Sequence, residues 1–304
     1  MNRRRVIGGA LSAIAGGIAP AFARSSKPQD PLPLDLADKA GQAPAPYTLT
    51  ELVGGQLQDP GTGITVPMSW NDSRFASNTP AAETGAGAKF TAGTQANKDW
   101  NNNPDYTNGD QSCTWIGDSA TSVFTMRKCR VDWREGPRIA GWNGATFNMD
   151  QCYINCVGKT GDHADAIQAY AGRSGSVVNF NVSNTFIRAY TDTAAKAKYG
   201  NGFIGSTCFF WANYMRGSVS FANVIMRGGQ RMFTLNTDTG TTHLSFDRVY
   251  FIDDPGLSWE FSNNNSYGGT LIIDRWNEVR KATIVNEQIV PGALIPRPGT
   301  GQRN

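Results

Sequence analysis

His163 and Asp165 are the two residues whose types and spacing best suit proton transfer. They lie two positions apart in the segment 161–168, which reads GDHADAIQ, so their side chains share a face where the chain is extended. A carboxylate beside an imidazole raises the imidazole pKa and fixes its tautomer, as a general base requires. We expect His163 to act as a base that Asp165 orients. The structural alternative is a turn histidine, with Asp165 closing an Asx-turn.

A possible metal site depends on two carboxylates. Asp162 and Asp165 could bind Ca²⁺ together, but two carboxylates are few for that ion, and we expect no other cofactor. The second histidine, His243, starts a predicted strand and is interpreted as structural. The five cysteines include no C-x-x-C pair and leave at least one thiol unpaired. We interpret them as small buried residues.

The elements that must position these residues follow an internal repeat. Apolar residues recur at positions i, i+2, i+5 and i+7, and successive units start 23, 33, 39, 25 and 27 residues apart. The fitted positions are Phe124, Met126, Cys129 and Val131; Phe147, Met149, Cys152 and Ile154; Phe180, Val182, Thr185 and Ile187; Val219, Phe221, Val224 and Met226; Leu244, Phe246, Val249 and Phe251; and Leu271, Ile273 and Trp276.

This repeat predicts pairs of strands joined by a bend. Alternation at i and i+2 is typical of a strand with one buried face, and the three-residue step to i+5 keeps the next buried face on the same side. The pattern predicts an all-β fold, a single-stranded right-handed parallel β-helix of about six or seven coils with an irregular N-terminal cap. Stacked coils would place Cys129 over Cys152 and Phe124 over Phe147. The alternative is a β-sandwich, which the scarcity of hairpin-turn dipeptides disfavours.

The repeat and the GDHADAIQ segment together resemble the right-handed parallel β-helix superfamily, which includes pectate-lyase-like and polygalacturonase-like proteins. The resemblance covers about residues 113–285, and the segment is similar to a His-x-Asp-Gly/Ala-Ile-Gln stretch of carbohydrate-active β-helices. It implies a polysaccharide substrate and a groove on the outer face of one long sheet. The polygalacturonase-like pattern matches only at Asp165 and Ile167, and its Asp-Asp, Gly-His-Gly and Arg-Ile-Lys motifs have no counterpart in the matching coils.

The strands between the template units would form the floor of that groove. Their alignment directs one set of apolar side chains inward: Ile139, Ile167, Phe209, Phe233 and Trp259. It directs a mixture of aromatic and polar side chains outward: Trp142, Gln168, Tyr170, Phe210, Thr234, Asn236 and Glu260. Sugar rings suit such a face, because they stack on aromatic rings and hydrogen-bond to polar groups. The alternative is an ordinary solvated sheet face.

Basic residues are expected along the same groove. The alignment places Arg138 near Asp165 on the preceding coil, and Arg231 level with Asp165 two coils later, at about 5 and 10 Å by strand spacing. The longest insertion would overhang the groove with three further side chains, Lys196, Lys198 and Tyr199. A positive rim on a neutral protein would suit an acidic sugar, whereas each charge taken singly is interpreted as a solvated surface residue.

The N-terminus reads as an export signal. Residues 3–5 are arginines, residues 6–22 are apolar, and residues 21–23 form a small-x-small cleavage site. The paired arginines resemble a twin-arginine signal. We therefore expect cleavage after Ala23 and a periplasmic or secreted monomer with no membrane insertion; an uncleaved anchor helix is the alternative. Without residues 1–23 the chain carries 25 basic and 25 acidic residues, which argues against a nucleic-acid partner.

The composition along the chain predicts five segments. They are the export signal 1–23, a Pro/Ala/Ser-rich linker 24–46, an irregular cap 47–112, the parallel β-helix 113–290 and an extended tail 291–304 that leaves the fold.

The expected function is a lyase that cleaves an acidic, uronate-containing polysaccharide by β-elimination. His163 would remove the proton α to the carboxylate, and Arg138, with Arg231 nearby, would neutralise that carboxylate. A glycoside hydrolase would need two carboxyl groups about 5–9.5 Å apart, whereas Asp165 and Glu260 would lie about 14 Å apart by strand spacing. A non-catalytic polysaccharide-binding or envelope-structural protein is the other alternative.

Overall fold

The structure is a computed structural model that describes most of the chain between residues 79 and 299. The described residues are 66, 79–80, 88–101, 112–156, 164–170, 176–189, 207–212, 214–228, 231–237, 240–252, 261–264, 269–285 and 288–299. This part of the chain is all-β and contains no helix, so none of it is a helix long and apolar enough to cross a membrane. The predicted export signal and linker lie outside the described residues.

The described strands form two sheets. In chain order they are β1 (Thr79–Pro80), β2 (Ala88–Phe90), β3 (Gly93–Ala96), β4 (Lys98–Asn101), β5 (Cys113–Gly117), β6 (Val123–Arg127), β7 (Arg130–Trp133), β8 (Arg138–Gly141), β9 (Ala145–Asp150), β10 (Tyr153–Cys156), β11 (Gln168–Ala169), β12 (Ser176–Ala189), β13 (Thr207–Trp211), β14 (Met215–Gly228), β15 (Arg231–Asn236), β16 (Thr241–Ile252), β17 (Phe261–Asn264), β18 (Thr270–Val285) and β19 (Gln288–Leu294).

The chain visits the two sheets in turn. The first sheet has the order β1-β4-β7-β10-β12-β14-β16-β18-β19. Beside this path, β3 pairs with β6, β6 pairs with β9, and β9 pairs with the first half of β12. The second sheet has the order β17-β15-β13-β11-β8-β5-β2. Paired strands run parallel throughout the described part, except that β19 is antiparallel to β18.

The predicted template is confirmed in its first five units. Phe124 pairs with Phe147, and the same register continues through the later units, whose fitted side chains are all at most 2 % exposed. The sixth unit was misaligned by two residues, because Ile273 rather than Leu271 pairs with Leu244. A bulge after Leu244 then shifts the remaining partners by one residue.

A residue with positive φ produces the bend that was predicted between i+2 and i+5. It lies at i+4 in six units and one position later, after the bulge, in the last, with φ between 49° and 57°: Asn97, Lys128, Gln151, Asn184, Asn223, Arg248 and Glu278. One left-handed residue between two extended stretches turns the chain without breaking the pairing with the next unit. Asparagine tolerates this conformation better than most residues, and the Asn223 side chain also donates to Asn184 Oδ1 at 2.9 Å.

The core lies between the two sheets and is built from stacked like residues. The rings of Phe124 and Phe147 have centroids 5.7 Å apart, and the Cys129 backbone N–H donates to Cys152 Sγ at 3.5 Å, so both expected stacks are confirmed. All five cysteines are buried, and none of them forms a disulfide. Each fully buried phenylalanine contributes about 2–3 kcal/mol of apolar burial, which makes this stack a main source of stability.

Both predicted ends of the strand repeat were wrong. Strands β1–β4 pair in parallel with later strands, so the sheets already include residues that we expected in an irregular cap. Residues 291–299 of the predicted tail do not leave the fold. Strand β19 pairs with β18, Ile295 is 5 % exposed, and the Ile295 carbonyl accepts a hydrogen bond from Trp276 Nε1 at 2.9 Å. The Arg297 side chain also donates to the Ile273 carbonyl at 2.7 Å.

Candidate functional site

The second sheet presents one continuous row of side chains away from the core. The row follows the register Arg138–Gln168–Phe210–Thr234, and we call it the outer row. Its strand neighbours on either side are buried, as alternation requires; Ile139, Ala169 and Trp211 are 0 % exposed. The sheet therefore places an arginine, an amide and an aromatic ring in line on one face.

The predicted alignment of this sheet was wrong by two residues at both ends. Arg138 pairs with Gln168 and not with Ala166, so it lies beside the Gln168 side chain and not beside Asp165. At the other end Thr234 pairs with Ser262, not with Glu260. A shift of two residues keeps every side chain on its predicted face but changes its neighbour.

The Arg138 guanidinium is held in position from two sides. Its Nε donates to Gln168 Oε1 at 2.8 Å, and its Cζ lies 5.7 Å from the centroid of the Tyr170 ring. The two Nη groups form no hydrogen bond or ion pair with any described residue. Arg138 is half-buried, and Tyr170 is 42 % exposed. The four free N–H donors of Arg138 therefore form a fixed fork beside an exposed ring, a geometry that matches a carboxylate.

Asp165 connects to this arginine through Gln168. Its Oδ1 accepts hydrogen bonds from the Thr207 backbone N at 3.1 Å and from the Thr207 hydroxyl, and its Oδ2 accepts one from Gln168 Nε2 at 3.2 Å. The side chain is only 6 % exposed. Burial raises the pKa of Asp165 to about 7, against the lowering effect of the Thr207 hydrogen bonds. A group with this pKa changes charge near neutral pH.

The raised pKa of Asp165 predicts a pH-dependent stability. Because the folded state binds this proton more tightly than the unfolded state, ionisation lowers the free energy of unfolding as the pH rises from about 4 to 7. The full loss should reach about 4 kcal/mol, of which about 2.5 kcal/mol falls between pH 5 and pH 8, and Asp165→Asn should abolish it, since the amide carries no charge in either state. Urea unfolding at pH 5 and pH 8 measures the change in the free energy of unfolding for each protein. Subtracting the change in Asp165→Asn from that in the unchanged protein removes the contributions of the other titrating groups. Parallel pH profiles for the two proteins would contradict the prediction.

The other predicted binding residues of the second sheet differ in exposure. Tyr170 is exposed and Phe210 is half-buried against the core. Thr234 and Asn236, expected at the surface, are 5 % and 8 % exposed, and Trp142 also packs on the core. The alternation of side chains along a strand predicts the sheet face on which each one lies. It does not predict whether other parts of the chain cover that face.

Several predicted site residues have side chains outside the part of the chain that the structure describes. The backbone of Arg231 pairs with Thr207, two strands from Asp165 as expected, but its side chain lies outside the described part. The remaining ones are outside the described residues altogether: Asp162, His163, Lys196, Lys198, Tyr199, Trp259 and Glu260.

Sequence reasoning missed a row of polar side chains on the first sheet. Asp132, Asn155, Arg188 and Arg227 pair in register across β7, β10, β12 and β14, on the face opposite the core, yet they are 0–7 % exposed. Asn155 Nδ2 donates to Asp132 Oδ1 at 2.6 Å. The signal was present, because these residues occupy position i+8 in four successive units. The Asn155–Asp132 hydrogen bond links β10 to β7 within this row.

The described residues do not support a calcium site at Asp165. Both carboxylate oxygens of Asp165 already accept hydrogen bonds, and the side chain is nearly buried. No cluster of three or more His, Cys, Asp or Glu that could hold a metal ion occurs in the part of the chain that the structure describes. Asp165 therefore does not fit the role of a cation ligand.

Comparison of the chain with protein-family models, curated proteins and solved structures found no match. The resemblance to carbohydrate-active β-helix proteins stays a prediction. The candidate site combines three chemical groups: the Arg138 guanidinium held by Gln168, the exposed Tyr170 ring, and the buried Asp165 carboxyl group, whose pKa is raised to about 7.

Proposed function

We propose that this is an exported protein that binds an acidic, uronate-containing polysaccharide on the outer row and cleaves it by β-elimination. The observation that carries the proposal is the Arg138 fork, which is oriented by Gln168, lies against Tyr170 and has both Nη groups unpaired among the described residues. A guanidinium that is held through its Nε and keeps both Nη groups available suits a planar anion better than a mobile surface lysine would.

A uronate residue offers the two features that this site can bind. Its carboxylate would accept two parallel N–H···O bonds from Arg138, and the apolar face of its ring would stack on the Tyr170 side chain, which is 42 % exposed. Phe210 continues the row on the next strand, two strands from Arg138. A polymer lying along the row would therefore meet an anion-binding group followed by an aromatic surface.

We propose further that the two parallel sheets are faces of a right-handed parallel β-helix. In support, the chain alternates between the sheets, and each template strand pairs with the corresponding strand of the next unit. The repeated left-handed residue gives each unit the same bend. Such a fold stacks insertions beside one sheet face, where a long polymer can lie.

The proposed reaction needs a base, a neutralised carboxylate and a leaving oxygen. His163 would take the proton α to the carboxylate, and Arg138 would stabilise the negative charge that develops on the carboxylate. The C–H electron pair becomes the new carbon–carbon double bond as the glycosidic C–O bond breaks, and the leaving oxygen takes up a proton. Asp165 would orient His163, two residues before it in the chain.

One observation favours a non-catalytic alternative, a polysaccharide-binding module. Asp165 is buried and both of its oxygens accept hydrogen bonds, so it does not reach a bound sugar in this state. Among the described residues, Arg138 and Tyr170 then offer a binding surface beside which Asp165 exposes no carboxylate. The two candidate functions differ only in whether product forms.

Replacing Arg138 tests the binding part of the proposal. We expect Arg138→Ala to weaken the binding of a polygalacturonate or alginate oligomer about ten- to a hundredfold, because charge-assisted hydrogen bonds contribute about 1.5–3 kcal/mol. Arg138→Lys should recover only part of the affinity, since lysine cannot form the bidentate pair. Titration calorimetry measures the affinities. Arg127→Ala, an arginine exposed on the first sheet, is the matched control and should bind like the unchanged protein.

Ultraviolet absorbance separates the two candidate functions. A lyase generates an unsaturated sugar that absorbs in the ultraviolet, so incubation with each uronate polymer should raise the absorbance with time. Binding without any product would favour the binding module. Absence of binding to every uronate polymer would contradict both.

A further inference from the structure

We propose that Gln168 couples the protonation state of Asp165 to the position of the Arg138 guanidinium, so that the fork is fixed only when Asp165 is ionised. Gln168 is then a positioning residue, since it acts on a ligand through Arg138. The consequence for polysaccharide binding rests on the proposed function, whereas the coupling itself does not.

The hydrogen bonds of Gln168 allow only one orientation of its amide. Arg138 Nε–H can only donate, so it requires the carbonyl Oε1, at 2.8 Å. An ionised Asp165 can only accept, so its Oδ2 requires the amide Nε2, at 3.2 Å. Both requirements are met together, and the amide orientation therefore reports the charge of Asp165.

Protonation of Asp165 prevents the Gln168 amide from keeping both hydrogen bonds in this orientation. Oδ1 already accepts two hydrogen bonds from Thr207, so the proton is best accommodated on Oδ2, which faces Gln168. An O–H donor then faces an N–H donor, and the amide must rotate to offer its carbonyl. Rotation directs Nε2 at Arg138 Nε–H, where two donors meet, and the bond that holds the guanidinium is lost.

The surroundings of Asp165 place this change near neutral pH. Burial and, to a smaller extent, the negative charge of Glu135 raise its pKa to about 7. Other ionisable side chains lie near this part of the chain: Glu135, which forms an ion pair with Arg134; Cys208, whose pKa burial raises to about 12; Cys156, whose thiol donates to the Ala164 carbonyl; and Arg138, which is joined to Asp165 through Gln168. His163 precedes Asp165 by two residues, and the Arg231 backbone lies one strand beyond Thr207.

Nitrogen-15 NMR of the arginine Nε–H groups tests the coupling without any ligand. The Arg138 signal is identified by its loss in Arg138→Lys and followed from pH 5 to pH 9. We expect it to keep its hydrogen-bonded shift at high pH and to lose it with a midpoint near pH 7. Asp165→Asn and Gln168→Leu should both remove the transition. A signal that does not titrate, or one that still titrates in Gln168→Leu, would overturn the proposal.

Binding of a uronate oligomer tests the consequence for a ligand. We expect the affinity of the unchanged protein to fall about tenfold from pH 8 to pH 5.5, the effect of one lost charge-assisted hydrogen bond, and the affinity of Gln168→Leu to stay nearly constant. A titrating Arg138 signal without oligomer binding would support the coupling and contradict the proposed function. Oligomer binding with an Arg138 signal that does not change with pH would support the proposed function and contradict the coupling.

Discussion

Replacing Gly217 with alanine is expected to lower the free energy of unfolding by about 4 kcal/mol. The residue has a φ of +118°, which costs a residue with a side chain about 1–3 kcal/mol. A Cβ there would also lie 2.2 Å from the Val178 carbonyl oxygen on the neighbouring strand, so β12 and β14 would have to separate, at a further cost of about 1–3 kcal/mol. Urea unfolding followed by circular dichroism measures the change.

Gly93 provides the matched control, because it shares the backbone conformation but not the close contact. Its φ is +105° and a Cβ would meet nothing within 4 Å, so Gly93→Ala should cost only the backbone strain of about 1–3 kcal/mol. Equal destabilisation by the two substitutions would show that the contact with Val178 carries no energy.

Loss of His163 is expected to reduce turnover of a uronate polymer about 10²- to 10⁴-fold with the fold intact. The reason is that removing a general base typically has an effect of this size. The rate of absorbance increase at saturating substrate measures turnover for His163→Ala, and circular dichroism confirms that the variant is folded.

The other histidine serves as the control for this substitution. His243 lies half-buried on β16 of the first sheet, where its Nδ1 pairs with Asp274 at 3.0 Å, and His243→Ala should leave turnover unchanged. A fully active, folded His163→Ala would reject His163 as the base and transfer that role to one of the other candidates, Lys196, Lys198, Tyr199 or Arg231.

The template strands could be predicted because their signal is local. The first five units carry four buried positions at fixed spacing, so Phe124 and Phe147 could be stacked from the sequence alone, and a bend between i+2 and i+5 followed from the three-residue step between Met126 and Cys129. Side-chain period and burial are properties of a short stretch of chain, and the structure agrees with both.

The neighbours of the site residues could not be predicted in the same way. Strand β11 has only two residues, and a shift of two positions leaves the same faces buried, so Ile139 fits equally well beside Ile167 or Ala169. This ambiguity hid the contact between Arg138 and Gln168. The burial of Thr234 and Asn236 depends on what covers the sheet, which the pattern of the strand itself does not contain.

The antiparallel strand β19 changes the edge at which the first sheet ends. A sheet of parallel strands ends in an edge that another copy could extend in the same direction, and such head-to-tail addition has no natural stopping point and leads to filaments. Here the last strand of the first sheet runs the opposite way, and Pro291, which pairs with Ala282, has no N–H to offer to an incoming strand. We therefore expect the turn-back of β19 to disfavour parallel addition of a second copy at this edge.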